Sequence, residues 1–329
     1  MKYPIIAAGL LAAASVQAQD KPVLTVMTYD SFVSDWGPGP QVEAAFEETC
    51  NCDLKLVGAG DGAALLARLR LEGTRTEADV VLGLDTNLTA AATETGLFAE
   101  HGRSTEDLSL PVEWDDAYFL PYDWGYFAFV YDKSKVTEVP ANFTELAESD
   151  LKIVIQDPRS STPGLGLLMW VEAAFGKDAA DVWAGLSDNV LTVTKGWSEA
   201  YGLFLEGEAD MVLSYTTSPA YHLIAEEDDS KAAAAFDEGH YLQIEVAGVV
   251  ASSDQLELAN EFMAFMQGGT FQGIIPTTNW MYPAKTPEAG LPQGFETLIN
   301  PAKALLFPPN EASKTRDAAL QTWLSALGQ

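Results

Sequence analysis

The stretch YFLPYDWGYFAFVY, residues 118–131, decides how the chain is organised. It is long, apolar and aromatic, which is typical of a buried extended segment. A second run of this kind, YLQIEVAGVVA, occupies residues 241–251. Two such segments are expected where a chain crosses from one lobe to another and back. We therefore predict two lobes, with the two crossing segments as a hinge between them.

Before the first crossing, the chain alternates strands and helices. Its apolar, β-branched runs predict strands at residues 23–28, 54–57 and 79–84. One helix is predicted after Gly37-Pro-Gly-Pro40, and another from Asp61, as its N-cap, to Gly73. This order is a βαβαβ unit, which folds as a mostly parallel sheet flanked by helices.

The same alternation returns between the two crossings. Strands are predicted at residues 153–155, 190–194 and 211–214, and helices at residues 165–175 and 198–205. The fold class is therefore α/β, with two lobes that each contain a mostly parallel sheet. We assign residues 19–123 and 246–329 to a discontinuous first lobe, completed by helices that include residues 256–266. Residues 124–245 form the second lobe.

The composition is strongly acidic. The 329 residues include 18 Lys+Arg and 48 Asp+Glu, which gives a formal charge of −30. A nucleic-acid partner is excluded, because binding a phosphate backbone needs a basic surface. A field of this sign favours cationic ligands instead.

The first 18 residues have the pattern of an export signal. Lys2 provides a positive start, residues 5–14 an apolar run, and Val16-Gln17-Ala18 a small-residue cleavage site. The apolar run is shorter than the ~20 residues needed to span a bilayer. We expect an exported protein that is cleaved near Ala18.

The only cysteines are Cys50 and Cys52, separated by one residue. Export permits a disulfide between them, but the ring would be small and strained, so two free thiols remain the alternative. A metal site is not predicted, because this pair and the three scattered histidines lack the usual ligand spacing.

Carboxylates follow the three predicted strands of the first lobe, at Asp30, Asp61 and Asp85. Ligands of open α/β sheets bind beyond the carboxyl ends of the strands. Each carboxylate on its own could be a helix cap. Together with the nearby Tyr29 and Trp36, the three predict an anionic, aromatic mouth.

The second lobe differs at the equivalent positions. Ser160, Ser161, Thr162 and Gly164 precede or begin a helix, where free N–H groups suit a phosphate, although an ordinary polar loop would have the same composition. Aromatic residues at strand ends and in the predicted loop 277–282 suit a flat or cationic ligand: Trp197, Tyr215, Tyr221, Trp280 and Tyr282. These features predict a ligand with a cationic aromatic head and an optional phosphate tail.

Catalytic motifs are missing from the sequence. It has no Gly-x-Ser-x-Gly, His-Glu-x-x-His or Walker A motif, and no Gly-x-Gly-x-x-Gly after a strand. None of the three histidines lies beside an obvious nucleophile. We therefore predict a binding protein and not an enzyme, with no catalytic residues and no cofactor.

Several segments resemble the periplasmic thiamine-binding proteins of ABC importers, which have the two-lobed periplasmic binding protein fold of class II. The most specific are KPVLTVMTYDSF, DWGPGP, CNCDLKL, ADVVLGLD, PYDWGYFAFVYDK, QDPRSSTPGLGLL, TVTKGWSEAYGLFL, VLSYTTSPAYH and PTTNWMYP. The resemblance extends along nearly the whole mature chain. It implies a periplasmic protein that captures thiamine, and its mono- and diphosphates, for an inner-membrane permease driven by a cytoplasmic ATPase.

The resemblance also implies roles for particular residues. Tyr29, Tyr221 and Trp280 would hold the aminopyrimidine, with Asp61 near its polar edge. Five further residues would surround the thiazolium side and the phosphate: Ser161, Thr162, Gly164, Trp197 and Tyr215. A binding protein for another organic cation, such as a polyamine, is the alternative.

Overall fold

The structure, a computed structural model, describes residues 21–328. The first predicted βαβαβ unit is confirmed, with helices between parallel strands. Its elements are β1 (Val23–Thr28), α1 (Gly39–Cys50), β2 (Asp53–Gly58), α2 (Gly62–Glu72), β3 (Val80–Asp85), α3 (Thr89–Thr93) and β4 (Phe98–Ala99). The predicted export signal, residues 1–18, lies outside the described residues.

The first crossing segment and the second βαβαβ unit follow, also as predicted. Their elements are β5 (Leu120–Asp132), α4 (Phe143–Glu148), β6 (Ile153–Gln156), α5 (Thr162–Phe175), α6 (Ala179–Leu186), β7 (Val190–Thr194), α7 (Trp197–Glu206), β8 (Met211–Tyr215), α8 (Pro219–Ala225) and β9 (Lys231–Ala233). Helix α5 begins three residues before its predicted start, because Pro163 suits a first helical turn.

The second crossing segment begins the last part of the chain. The elements there are β10 (His240–Val250), α9 (Leu256–Met266), α10 (Gly269–Thr278), β11 (Tyr282–Pro283), β12 (Ala304–Leu305) and α11 (Pro309–Leu327). Within residues 21–328, no helix is long and apolar enough to cross a membrane.

The two crossing strands join the parallel sheets of both units. The strand order is β2-β1-β3-β10-β5-β8-β6-β7. The groups β2-β1-β3 and β8-β6-β7 are parallel, whereas β10 is antiparallel to β3, and β5 is antiparallel to both β10 and β8. Residues 120–126 of β5 pair with β10, and residues 127–131 pair with β8. One strand therefore passes from the first sheet into the second.

The predicted lobe boundaries fall inside β5 and β10 and stay a prediction. Helices α9 and α10 pack beside α1, as expected of helices that complete the first lobe. Helix α11 is different, because it packs against α5 and α6 in addition to α3. Its Trp323 is fully buried in the same cluster as Trp170 and Trp183. The last helix therefore contacts both units.

Cys50 and Cys52 form a disulfide between the end of α1 and the start of β2. Of the two alternatives left open by the sequence, the structure has the disulfide and not the pair of thiols. Asn51 between them adopts a left-handed conformation, with φ of 49°. Asparagine tolerates this region better than most residues.

Candidate ligand-binding cleft

A cavity of about 360 Å³ lies where elements of the two units meet. Eight of the ten predicted ligand-binding residues line it: Tyr29, Trp36, Asp61, Thr162, Trp197, Tyr215, Tyr221 and Trp280. Twelve further residues complete the lining: Ser31, Pro163, Ser198, Tyr201, Gly202, Leu205, Ser218, Glu245, Thr277, Thr278, Asn279 and Met281. In the described part of the chain, neither Lys nor Arg contributes to this lining.

The other two predicted residues, Ser161 and Gly164, lie behind the wall of the cavity. Ser161 is the N-cap residue of α5 and has no exposed surface. A Cβ on Gly164 would lie 2.4 Å from the carbonyl oxygen of Gln156. Glycine at this position therefore allows the first turn of α5 to pack closely on the end of β6.

The predicted mouth of three carboxylates is wrong for two of its members. Asp30 is exposed, and its Oδ1 accepts a hydrogen bond from the Gly60 N–H at 2.9 Å. Asp85 is fully buried, and its carboxylate accepts hydrogen bonds from Asn87. Both carboxylates are therefore used within the first unit, and only Asp61 of the three lines the cavity.

Asp61 occupies the N-cap position of α2 but does not cap that helix. Its Oδ2 accepts a hydrogen bond from the Trp197 N–H at 3.2 Å, across the cleft. That N–H is one of the free donors at the N-terminus of α7, where a negative charge is favourable. Burial raises the pKa of Asp61 to about 6, while the Ser161 hydroxyl and the Trp197 N–H act in the opposite direction.

Two further hydrogen bonds join the units beside Asp61. The Gly62 N–H donates to Thr162 Oγ1 at 3.0 Å, and the Ala64 N–H donates to the Ser160 carbonyl at 3.2 Å. These two contacts, together with the one between Asp61 and Trp197, are called the interlobe seam below. The cleft is therefore closed along this side by the N-termini of helices.

Aromatic rings form one end of the cleft. Trp36 and Trp197 face each other with ring centroids 6.0 Å apart, and Trp197 stacks on Tyr201 at 4.8 Å. The Trp197 Nε1–H donates to Ser214 Oγ at 2.8 Å, which fixes the indole. Trp36 is 56 % exposed although it lines the cavity. It therefore provides an accessible aromatic edge at the entrance.

A second aromatic pair consists of Tyr221 and Trp280, whose ring centroids are 5.4 Å apart at an interplanar angle of 71°. Trp280 has a φ of 57°, a left-handed conformation, and its N–H donates to the Ile275 carbonyl at the end of α10. Such a conformation costs about 1–3 kcal/mol for a residue other than glycine, and it is found mainly at functional sites. With this backbone conformation the residue lines the cleft.

The loop predicted at residues 277–282 is shorter in the structure, because α10 extends to Thr278 and β11 begins at Tyr282. Tyr282 does not line the cavity. Its ring stacks on Trp124 with centroids 4.6 Å apart. The aromatic residue that the sequence pattern suggested for the ligand site therefore packs between β11 and β5 instead.

Tyr29 follows β1 and is held by its ring and by its hydroxyl. The backbone of Gly83, with φ of 106°, leaves room for the ring, because a Cβ there would lie 2.3 Å from Tyr29 Cδ1. The hydroxyl lies 3.2 Å from Glu245 Oε2 and 3.1 Å from Asn279 Oδ1. Burial, followed by the charges of Glu245 and Asp123, raises the pKa of Tyr29 well above its ordinary value.

Glu245 is a lining residue that sequence reasoning missed. It lies on β10, is 5 % exposed, and accepts a hydrogen bond from the Tyr122 hydroxyl at 2.8 Å. Burial raises its pKa to about 7. The signal was present in the sequence, since Glu245 and Asp123 are acids in the two long apolar crossing segments. Buried acids in such segments are rare without a partner or a function.

A group of polar residues supports the aromatic end from behind. The Tyr201 hydroxyl lies 3.0 Å from His222 Nε2, and His222 Nδ1 lies 2.6 Å from Glu226 Oε2. The side chains of His222, Glu226 and Asp228 are close enough to hold a metal ion. Asp228 already has a cation beside it, because Lys231 Nζ lies 3.5 Å away.

The architecture, two α/β units joined by crossing strands around an interlobe cleft, is that of a class II periplasmic binding protein. The chain belongs to the bacterial extracellular solute-binding protein family, whose model matches residues 37–268. Thiamine-binding periplasmic proteins are among the members that it resembles in both sequence and structure.

Two relatives are named thiamine-binding periplasmic proteins. The one from Escherichia coli (strain K12) is 55 % identical over 97 % of this chain and 97 % of its own length. The one from Haemophilus influenzae is 43 % identical over 86 % of each chain. A solved structure of a periplasmic thiamin binding protein aligns with a TM-score of 0.92, at 54 % identity, over 98 % of this chain and 100 % of that one.

A ferric binding protein from Campylobacter jejuni shares the fold at 19 % identity. Its TM-score is 0.75, over 92 % of this chain and 99 % of that one. At this identity the likeness concerns the fold alone.

Proposed function

We propose that this protein is the solute-binding component of an ABC importer and captures thiamine in the interlobe cleft. The observation that carries the proposal is the lining of the cavity, which combines aromatic rings with Asp61 and Glu245 and includes no Lys or Arg among the described residues. Thiamine has a flat aminopyrimidine and a permanently cationic thiazolium. Aromatic faces and carboxylates attract such a ligand. The names of the closely similar relatives support the same ligand.

In this proposal the two rings of thiamine occupy different parts of the cleft. The aminopyrimidine lies against Tyr29, Tyr221 and Trp280, with its amino edge toward Glu245. Glu245, and not Asp61, is the carboxylate joined to Tyr29. It accepts hydrogen bonds from the Tyr29 and Tyr122 hydroxyls, which also contact each other. The thiazolium lies toward Asp61, near the N-terminus of α7.

The mono- and diphosphates of thiamine are proposed as further ligands. Their phosphate would approach the first turn of α5, where Ser161 and Thr162 lie at a helix N-terminus. Thr162 Oγ1 accepts a hydrogen bond from Gly62 in the closed seam. The same hydroxyl can donate its own hydrogen to a phosphate, so Thr162 would serve the ligand and the seam together.

The proposed setting is the periplasm, after cleavage of the export signal near Ala18. The proposed partner is an inner-membrane permease with its cytoplasmic ATPase. The family consists of extracellular solute-binding proteins, and the relatives are named as periplasmic. No cofactor is proposed beyond the transported ligand.

A thermal-shift screen followed by titration calorimetry tests the proposal. A ligand that binds only the native state must raise the melting temperature. At a hundredfold excess over Kd it adds about 2.7 kcal/mol to the free energy of unfolding. Thiamine is expected to stabilise the protein most, with its phosphates next. Spermidine and ferric iron are the comparison ligands. Stabilisation by spermidine alone would instead indicate a polyamine-binding protein.

A further inference from the structure

Three acids form a row across the centre of the sheet. Glu245 on β10 lies directly opposite Asp85 on β3 and directly opposite Asp123 on β5. Residues that face each other on neighbouring strands project from the same face of a sheet. The exposed fractions of Asp85, Glu245 and Asp123 are 0 %, 5 % and 0 %. These three residues are called the carboxyl row.

The carboxyl row has no basic partner. Across residues 21–328, no Lys, Arg or His forms an ion pair with any of its members. Neighbouring buried carboxylates cannot all be ionised without compensation, because burial and like charge both oppose ionisation. At least one member of the row is therefore expected to carry a proton near neutral pH.

The hydrogen bonds indicate which acid carries the proton. Glu245 Oε2 accepts from the Tyr122 hydroxyl, and Asp123 Oδ2 accepts from Asn279 Nδ2 at 2.6 Å. Asp123 Oδ1 is buried and accepts from no donor in the described structure. An ionised oxygen in this position would lose its hydration without replacement. A protonated Asp123 can instead donate to Glu245 and satisfy both acids.

The surrounding electrostatics agree with this assignment. Burial, followed by the charge of Glu245, raises the pKa of Asp123 well above its ordinary value. Burial also raises the pKa of Asp85 to about 6, although its hydrogen bonds with Asn87 and the charge of Arg316 oppose the shift. The remaining titratable groups beside Glu245 and Asp123 are Tyr29, Tyr122 and Tyr215, and Asp61 lines the same cavity as Glu245. The three tyrosines have raised pKa values and stay neutral.

We propose that Asp123 and Glu245 share one proton when the cleft is empty, and that a cationic ligand in the cleft, with an amino group that donates to Glu245, expels this proton to solvent. Ligand binding is then coupled to proton release. Glu245 is the member of the row that lines the cavity, so it transmits the charge of the ligand to Asp123. The coupling rests on the proposed function, because the cation that we invoke is thiamine.

The sign of the coupling follows from linkage. The amino group of thiamine donates to Glu245 and its positive charge lies in the same cleft, so both lower the pKa of the carboxyl pair in the complex below its value in the empty cleft. Between these two values the empty protein holds more protons than the complex, so affinity rises with pH in that interval. Asp61 has a pKa of about 6 and is also in the cleft. Measurements at about pH 8 avoid its contribution, because Asp61 is then ionised in both states.

Titration calorimetry with thiamine in buffers of different ionisation enthalpy measures the coupling. At about pH 8 we expect the wild type to release protons on binding thiamine, up to about one per thiamine. Asp123→Asn keeps a donor to Glu245 and an acceptor for Asn279 but removes the shared proton, so release should fall to near zero. Glu257→Gln, an exposed acid of α9 outside the cavity lining, is the matched control, and its proton release at this pH should equal that of the wild type. Proton uptake, no exchange, or equal release from Asp123→Asn would overturn the proposal.

A second measurement needs no ligand. The infrared spectrum of the empty wild type near neutral pH should contain a carboxylic-acid C=O stretch that Asp123→Asn lacks. Identical spectra for the two proteins would exclude the shared proton. If thiamine fails to bind the wild type, the proposed function fails, and this spectrum still decides whether the pair is protonated.

Discussion

The carboxyl row and the interlobe seam both place acids beside the cleft, but they are built differently. The row lies on three paired strands, is buried, and is held by hydroxyl and amide groups of fixed position. The seam consists of three hydrogen bonds between helix N-termini and a loop, and Asp61 within it is half-buried. The row is therefore part of a rigid sheet, whereas the seam can open without disturbing any strand.

This difference indicates a division of roles. A net hydrogen bond contributes about 0.5–1.5 kcal/mol, so three of them hold the lobes together only weakly. Closure can therefore depend on the ligand. The row, by contrast, is held in place by strand pairing, and we expect it to select the charge of the ligand.

The largest effect is expected for Glu245→Gln. The substitution removes the charge of Glu245, the member of the carboxyl row that borders the cavity. A hydrogen bond to a charged group contributes about 1.5–3 kcal/mol of binding free energy. Thiamine affinity, measured by calorimetry, should fall by that amount. Glu257→Gln on the exposed side of α9 is the control and should bind normally. If both variants bind alike, the row does not select the ligand.

A somewhat smaller effect is expected for the aromatic pair. Trp280→Ala and Tyr221→Ala should each weaken thiamine binding by about 1–2 kcal/mol, since each removes a π-face from a cationic ligand. Thiamine should also change the tryptophan fluorescence of the wild type. Phe265→Ala removes a ring outside the cavity and controls for loss of stability. Normal affinity in both cleft variants would exclude the aromatic contact.

In the seam, Asp61→Asn should cost about 1 kcal/mol of thiamine affinity. The amide keeps an acceptor for the Trp197 N–H, so the loss is that of the charge at the N-terminus of α7. Small-angle scattering of the same variant reports closure. We expect a smaller radius of gyration with thiamine than without it, as in the wild type. A variant that binds as tightly as the wild type would reduce Asp61 to a structural contact.

The smallest effect is expected for Thr162→Ala. Thiamine has no phosphate to accept from the hydroxyl, so its binding should change only through loss of the seam contact with Gly62, by about 0.5 kcal/mol. Binding of thiamine monophosphate should weaken by about 1 kcal/mol more, because the phosphate loses the hydroxyl but keeps the free N–H groups of the first turn of α5. Side-by-side titrations give the selective difference. Equal losses for the two ligands would show that Thr162 shapes the cleft without contacting phosphate.

Local patterns were sufficient for the longer strands, for α1, α2, α5, α7 and α9, and for most of the aromatic lining. VLTVMT is β1 without change, and the crossing segments are β5 and β10. Trp197, Tyr221 and Trp280 could be placed in the cleft because they follow predicted strands or lie in a predicted loop of an α/β arrangement. These inferences need only neighbouring residues and the direction of the chain.

Contacts between distant segments could not be predicted in this way. The carboxyl row depends on the register between strands that lie more than a hundred residues apart in the sequence, and a shift of one residue would separate its members. The contact of Asp61 with Trp197 depends on how the lobes meet. The left-handed conformation of Trp280 is a backbone property that its residue type opposes.

A crystal structure of the protein with thiamine tests the central claim most directly. We expect the ligand in the interlobe cleft, with its aminopyrimidine against Tyr221 and Trp280 and its amino edge within hydrogen-bond distance of Glu245. The thiazolium should lie on the side of Asp61. Thiamine bound outside this cleft, or bound within it with neither ring against these aromatic residues and no contact to Glu245, would contradict the account.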